Sequence, residues 1–247
     1  MDKTGISKKD IIESFKRGLK CGIPIGLGYF AVSFAFGMSA VKGGLSVFEA
    51  TMISLLNLTS AGQFAGIDVM FGGGSLVEMA VTQLIINLRY SLMSFTISQK
   101  YDRSYPFWHR FIVAFGVTDE IFAVTAAQKG KVSPFFNYGA MALSIPGWTF
   151  GTLAGAVSGS ILPAFITSAL GVALYGMFIA IIIPPAKHSK VVAGVVLAAM
   201  ALSTVFKFAP YLNRISGGFV IIIVTVIVSG IAAYFFPHTG KEAADAE

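Results

Sequence analysis

Arg89 stands in Asn87-Leu88-Arg89-Tyr90, at the middle of an apolar window spanning 76–98. A guanidinium this deep in a bilayer costs about 2.5–3.5 kcal/mol on insertion scales, so it must face a partner or water rather than lipid. Two roles fit: ligand to a substrate carboxylate, or partner of a buried acid. Acids are at hand in Thr118-Asp119-Glu120, which interrupts the apolar run of 110–128. Adjacent side chains on a helix diverge by about 100°, so at most one of the two acids shares a cavity with Arg89. Desolvation and a nearby cation pull a carboxyl's proton affinity in opposite directions, the balance that proton coupling needs. The competing role is structural: a helix broken at Thr118, with Asp119 and Glu120 capping a new N-terminus. In a transporter the two roles can coincide.

A third group lies between Ser54 and Gly66, where Asn57, Thr59, Ser60, Gly62 and Gln63 occupy an apolar window of 48–70. Small hydroxyls, amides and glycines let a helix unwind, and the freed backbone groups can coordinate a substrate or line a cavity. The plainer alternative is close helix packing at Ser60, Ala61 and Gly62, with Asn57 and Gln63 bonding across the contact. Asn57 and Gln63, placed around Gly62, favour the broken, functional segment.

The elements that must hold these groups are hydrophobic helices. Between Lys131 and Lys187 there is no Asp, Glu, Lys or Arg, room for two spans at ~20 apolar residues each. Hydrophobic residues make up 55% of the 247, charged residues 12%, and the mean hydropathy is +0.76. Apolar segments fall at 20–41, 48–70, 76–98, 110–128, 136–158, 163–185, 190–208 and 216–236. The fold class expected is all-α: a polytopic membrane protein of seven to eight hydrophobic segments, in two repeats with broken or re-entrant helices. The 27 glycines suit helices that approach closely in lipid. The net charge of +6 gathers at Lys3, Lys8, Lys9, Lys16, Arg17 and Lys20, as on a cytoplasmic flank, and gives no reason to expect nucleic acid. Cys21 is the single cysteine, so an internal disulfide is excluded. The charged N-terminus resembles a signal peptide's, but the many later segments argue that the first is retained. No phosphate-binding loop, metal-ligand spacing or nucleophile triad is present, and catalytic residues are not expected.

The expected organisation is a basic cytoplasmic segment at 1–19, one transport domain at 20–237 and a charged tail at 238–247. Repeats are expected at 20–98 and 136–208, from the echoes of Ile23-Pro24 in Ile145-Pro146 and of Gly62-Gln63-Phe64-Ala65 in 176–180. Eight plain crossings would put Lys100, Arg103 and Arg110 outside, against the positive-inside rule. Re-entrant second and sixth segments would put 99–110, 187–190 and both termini inside; this arrangement is favoured, with seven spans as the third option. Asp68 and Glu78, flanking Gly72–Gly74, read as interfacial charges. Trp108, Trp148, Tyr101 and Tyr105 read as interfacial anchors, Pro24 and Pro146 as kinks or first-turn prolines, and His188 as part of a cytoplasmic loop.

Thr59-Ser60-Ala61-Gly62-Gln63-Phe64-Ala65, Asn87-Leu88-Arg89-Tyr90 and Thr118-Asp119-Glu120-Ile121-Phe122 stand in the order and spacing of the AzlC-type family, which the chain resembles from about Phe15 to Ala209. The resemblance implies a large subunit of a bacterial inner-membrane exporter of leucine, isoleucine, valine and related amino acids such as methionine. It implies drive by an ion gradient, with protons as the expected ion, no cofactor, and a small AzlD-type membrane subunit as partner. An amino acid needs a cationic or amide contact for its carboxylate, for which Arg89 and the Ser60–Gln63 backbone are candidates. Asp119 or Glu120 would accept its ammonium or carry the coupled proton, and Leu58, Phe64, Phe115 and Phe122 would wall its side chain. The expected substrate-binding or coupling set is therefore Asn57, Ser60, Gly62, Gln63, Phe64, Asn87, Arg89, Asp119 and Glu120. The rival functions are a channel or importer for another small solute, a non-transporting membrane scaffold, and a membrane enzyme.

Overall fold

The computed structural model describes residues 7–159 and 189–236, with 179, 182, 183, 186 and 187 between them. The helices are α1 (Lys8–Lys42), α2 (Val47–Leu56), α3 (Ser60–Phe71), α4 (Leu76–Lys100), α5 (His109–Phe115), α6 (Asp119–Ala126), α7 (Pro134–Ser158), α8 (Lys190–Phe208) and α9 (Gly217–Phe235). No strand occurs among the described residues, so the chain is an all-α membrane protein. Four of these helices, α1, α7, α8 and α9, are long and apolar enough to cross a bilayer. The expected seven to eight segments do not appear as that many spans. The windows at 48–70 and 110–128 each divide into two shorter helices, and α4 carries Glu78, Arg89 and Lys100. Most of the sixth segment, Pro184, Pro185, His188 and the tail 238–247 lie outside the described residues, and the expected repeat at 136–208 runs through them.

The chain forms two compact units, Met1–Phe64 with Ile86–Ala173, and Ala65–Ile85 with Leu174–Glu247. In the first, α1 and α7 run parallel. Gly18 lies against Phe136 and Ala140, Gly26 against Leu143 and Gly147, and Gly37 against Thr152 and Ala156. Glycines at every fourth position (18, 22, 26 and 147, 151, 155) bring the two backbones together, because dispersion packing, not the hydrophobic effect, must join helices in lipid. Pro24 and Pro146 fall inside these helices and not in first turns. The 35 residues of α1 reach about 52 Å at ~1.5 Å per residue, well beyond a ~30 Å hydrocarbon core, so its first turns with Lys8, Lys9, Lys16 and Arg17 extend out of it.

Two broken helices fold back; the first leaves this unit after Phe64, and the second lies wholly within it. The first, α2–α3, starts beside the end of α1, where Ser46 and Glu49 form a capping box. Its tip is Asn57-Leu58-Thr59, and Leu58 packs with Ile25, Tyr29 and Trp148. The chain then returns: Gln63 Nε2 donates to Ser54 Oγ on the opposite arm at 3.1 Å, and Phe64 meets Phe36 edge-on at 5.4 Å. The second hairpin, α5–α6, enters and leaves at the other end. His109 Nδ1 lies 2.7 Å from the Tyr138 hydroxyl, while Thr125 Oγ1 accepts from Asn137 Nδ2 at 2.9 Å, so both ends sit beside the first turns of α7. Its tip, Gly116-Val117-Thr118, reaches Tyr29, which stacks on Trp148. That level is about 16 Å further along α7 than Asn137.

These returns bear on which side faces the cytoplasm. Arg17, Lys129 and Lys131 line one cleft; Lys100 Nζ donates to the Ala126 carbonyl, Lys131 Nζ to the Gln99 carbonyl and Arg110 Nη1 to Ser98 Oγ. The end where α1 and α7 begin is thus the basic end, the end on which the positive-inside rule would expect the cytoplasm. The second segment turns back, as the favoured arrangement expects, and this places Lys100, Arg103 and Arg110 on the basic end; the fourth segment, expected to cross, turns back as well.

In the second unit, Glu78 is 3% exposed and not interfacial as expected, whereas Asp68 is exposed. Ser216 Oγ, at the start of α9, donates to Glu78 Oε1, and the Glu78 N–H donates to Ser75 Oγ at 3.1 Å. The carboxylate thus lies between two helix N-termini, where both dipoles favour negative charge.

Candidate functional site

The two hairpin tips meet at one pair of charges. Arg89 Nη1 of α4 lies 3.0 Å from Asp119 Oδ2, the first residue of α6. The side chains are 43% and 33% exposed, so the pair is open to a ligand. Glu120 turns elsewhere: the Tyr29 hydroxyl bridges Thr118 Oγ1 and Glu120 Oε2, 2.5 Å from each. Asp119 is therefore the acid that faces Arg89. Thr118 is extended (φ −129°, ψ 172°), and its Oγ1 accepts from the Ile121 N–H at 3.4 Å, so it caps α6. Capping and ion pairing coexist at this tip.

The other tip is built alike. Asn57 ends α2 in an extended conformation, and its Oδ1 accepts from the Thr59 N–H at 3.4 Å. Thr59 Oγ1 accepts from the Gly62 N–H at 3.2 Å, capping α3. Beside Arg89, the Tyr90 hydroxyl accepts from Arg89 Nη2 at 3.2 Å. Ser60 Oγ is buried with no hydrogen-bond partner among the described residues. No acid occupies the first turn of α3, whereas α6 opens on two. One tip therefore offers the positive end of a helix dipole and the other offers carboxylates.

Gln63 and Phe64 hold the first hairpin together. Trp148 Nε1 donates to Gln63 Oε1 at 2.9 Å, Gln63 Nε2 donates to Ser54 Oγ, and Ser54 Oγ lies 2.7 Å from Thr152 Oγ1. Trp148 is 1% exposed, a buried clasp and not the interfacial anchor expected; Tyr101 is buried as well, while Trp108 is exposed. Gln63→Leu would strand the indole N–H and is expected to lower stability by about 1–3 kcal/mol. The check is the thermal unfolding midpoint in detergent, and an unchanged midpoint would remove the clasp. Asn87 precedes Arg89 by two residues and so projects from a different face of α4. Of the expected walls, Leu58 lies at the meeting point, Phe122 packs with Val113, Val117 and Phe136, and Phe115 is largely exposed. A groove of about 440 Å³, lined in part by Tyr90, Ser91, Ser94, Ser98, Phe107 and Arg110, runs from beside the pair toward the basic end.

Residues 24–162 match the AzlC protein family, a span that takes in both hairpins, α4, and α7. The chain belongs to the AzlC family. Similar AzlC-type relatives include an "Uncharacterized membrane protein" of Archaeoglobus fulgidus, 35% identical over 76% of this chain and 84% of its own length. The "Inner membrane protein YgaZ" of Escherichia coli K12 is 32% identical over 78% of this chain and 82% of its own. An "Uncharacterized membrane protein" of Helicobacter pylori is 26% identical over 78% and 87%. No solved structure matches the chain. This AzlC protein is thus a multi-pass membrane protein, like its named relatives. The sequence singles out Arg89, Asp119 and Glu120 but gives no sign of Tyr29 and places Trp148 at the interface, because an aromatic in an apolar window carries no visible polar signal.

Proposed function

We propose that the chain is the large subunit of a secondary transporter that exports the branched-chain amino acids leucine, isoleucine and valine, and related amino acids such as methionine, across a bacterial inner membrane. The observation that carries this reading is the meeting of two oppositely inserted broken hairpins at Arg89 and Asp119. Broken helices with dipole ends aimed at a central site are the architecture secondary transporters use for small charged solutes.

A zwitterion fits the polarity of the two tips. The α3 N-terminus with Ser60, next to Arg89, suits a carboxylate; Asp119 suits an ammonium; Leu58, at the tip between the arms, is the apolar residue nearest for a branched side chain. Substrate binding would then compete with the Arg89–Asp119 ion pair, exchanging one salt bridge for two contacts with the ligand. Protons are the proposed coupling ion, with Glu120, tied to Tyr29, or Asp119 as the carrier. The substrate class and the small AzlD-type partner rest on the family likeness.

The test is leucine efflux from dipeptide-loaded cells that lack their own exporters and express this chain with its small partner. Efflux that a protonophore suppresses is the expected result. Absent efflux from well-expressed protein would overturn the substrate assignment, and efflux indifferent to the proton gradient would favour a channel.

A further inference from the structure

Arg17, Lys129 and Lys131 meet at the basic end in one cleft of about 310 Å³, with Gln128 beside them and Val132 and Phe136 as its floor. Arg17 comes from α1, the two lysines from the loop between α6 and α7. Gly18 brings these elements together, since it lies against Phe136. Like charges gathered in this way repel unless an anion sits among them. Among the described residues no carboxylate lies within 4 Å of any of the three cations. Glu13 stands one turn before Arg17 without pairing with it, and Asp102 turns its carboxylate to the Ser104 N–H at 2.9 Å. Lys131 Nζ donates to the Gln99 carbonyl, which fixes the ammonium without neutralising it. All three side chains are exposed.

Aromatic side chains mark the level of the cleft. Trp108 is 53% exposed and stacks on His109, which bonds Tyr138 in the first turns of α7. Exposed tryptophan at a helix end sits at the boundary between headgroups and hydrocarbon. Phe136 is half a turn from Tyr138, so the cleft opens at that boundary. We propose that it binds the phosphate of an anionic phospholipid. The Arg17 guanidinium matches two phosphate oxygens at once, Lys129 and Lys131 act as point charges, and Val132 and Phe136 lie under the start of an acyl chain. The apolar floor and the membrane level favour a lipid over a soluble anion, because basic pockets among helices at this depth take headgroups. A phosphate held there joins α1 to the loop that follows the second hairpin. The assignment stands apart from the transport reading.

The test uses the purified full chain, delipidated in neutral detergent, with native mass spectrometry to read bound lipid. Phosphatidylglycerol and phosphatidylcholine with the same acyl chains are offered together. Wild type is expected to retain phosphatidylglycerol over phosphatidylcholine by about fivefold or more. Arg17→Gln with Lys129→Gln and Lys131→Gln is expected to bring that ratio close to one. Lys8→Gln with Lys9→Gln and Lys16→Gln removes the same charge outside the cleft and is expected to leave the ratio unchanged. Should the cleft triple fail gel filtration, Lys129→Gln alone carries the result through a partial fall in the ratio. No preference in wild type, or equal losses in the two triples, would overturn the site. Inorganic phosphate at the same concentration is expected not to displace the lipid; displacement would make the cleft a soluble-anion site and reject the lipid.

Discussion

Arg89→Ala is expected to reduce leucine efflux to under a tenth of wild type while the protein remains folded in the membrane. Truncation leaves the Asp119 carboxylate without the cation that lies 3.0 Å away. Removing one partner from a fully buried pair costs about 3–5 kcal/mol. Here both side chains are partly exposed, and solvent screening reduces the loss to about 1–2 kcal/mol. A loss of that size leaves most molecules folded, so the effect falls on transport. The exchange Arg89→Asp with Asp119→Arg discriminates further. It rebuilds an ion pair but reverses the polarity facing each tip, and is expected to restore stability without flux. Full flux in the exchanged protein would make the pair a structural bond only. Efflux per folded molecule, with gel filtration as the measure of folding, gives the answer.

Gly155→Leu is expected to prevent α1 and α7 from seating, with the loss of most folded protein on gel filtration. A Cβ at Gly155 would stand 2.0 Å from the Phe34 carbonyl oxygen, and one at Gly37 would stand 2.1 Å from the Thr152 oxygen. Overpacking a soluble core costs about 1–3 kcal/mol when side chains can shift. Here the obstacle is backbone of the facing helix, which has no rotamer to yield. Gly28 on α1, the facing helix, is the control: a Cβ there meets nothing within 4 Å, so Gly28→Leu is expected to be neutral. Equal damage at Gly28 and Gly155 would mean that lipid insertion, not the seam, sets the sensitivity.

Both breaks were legible because they rest on local chemistry. Asn57, Thr59 and Thr118 are residues whose side chains compete with the helix backbone, and each does so here. Arg89 was legible by cost alone. The return of α5–α6 was not, because a hydropathy window scores a hairpin and a crossing alike. Lys100, Arg103 and Arg110 could not reveal it, because they precede or open the fourth segment and stay on the basic end whether it crosses or returns; they report only the return of the second. Glu78 misled because a charge beside Gly72–Gly74 looks exposed; only the fold brings Ser216 onto it. Tyr29 and Trp148 gain their meaning from contacts 85 to 91 residues away in sequence, which no local pattern encodes.

The most direct measurement is radiolabelled leucine counterflow in vesicles containing the chain and its small partner, as wild type and as Asp119→Asn at matched protein. Counterflow needs a site that binds substrate and faces each side in turn, and it needs no ion gradient. Transient accumulation in wild type, lost in Asp119→Asn, is the expected result. No accumulation in folded wild type, or the same accumulation in Asp119→Asn, would contradict a transport site at the meeting of the two hairpins.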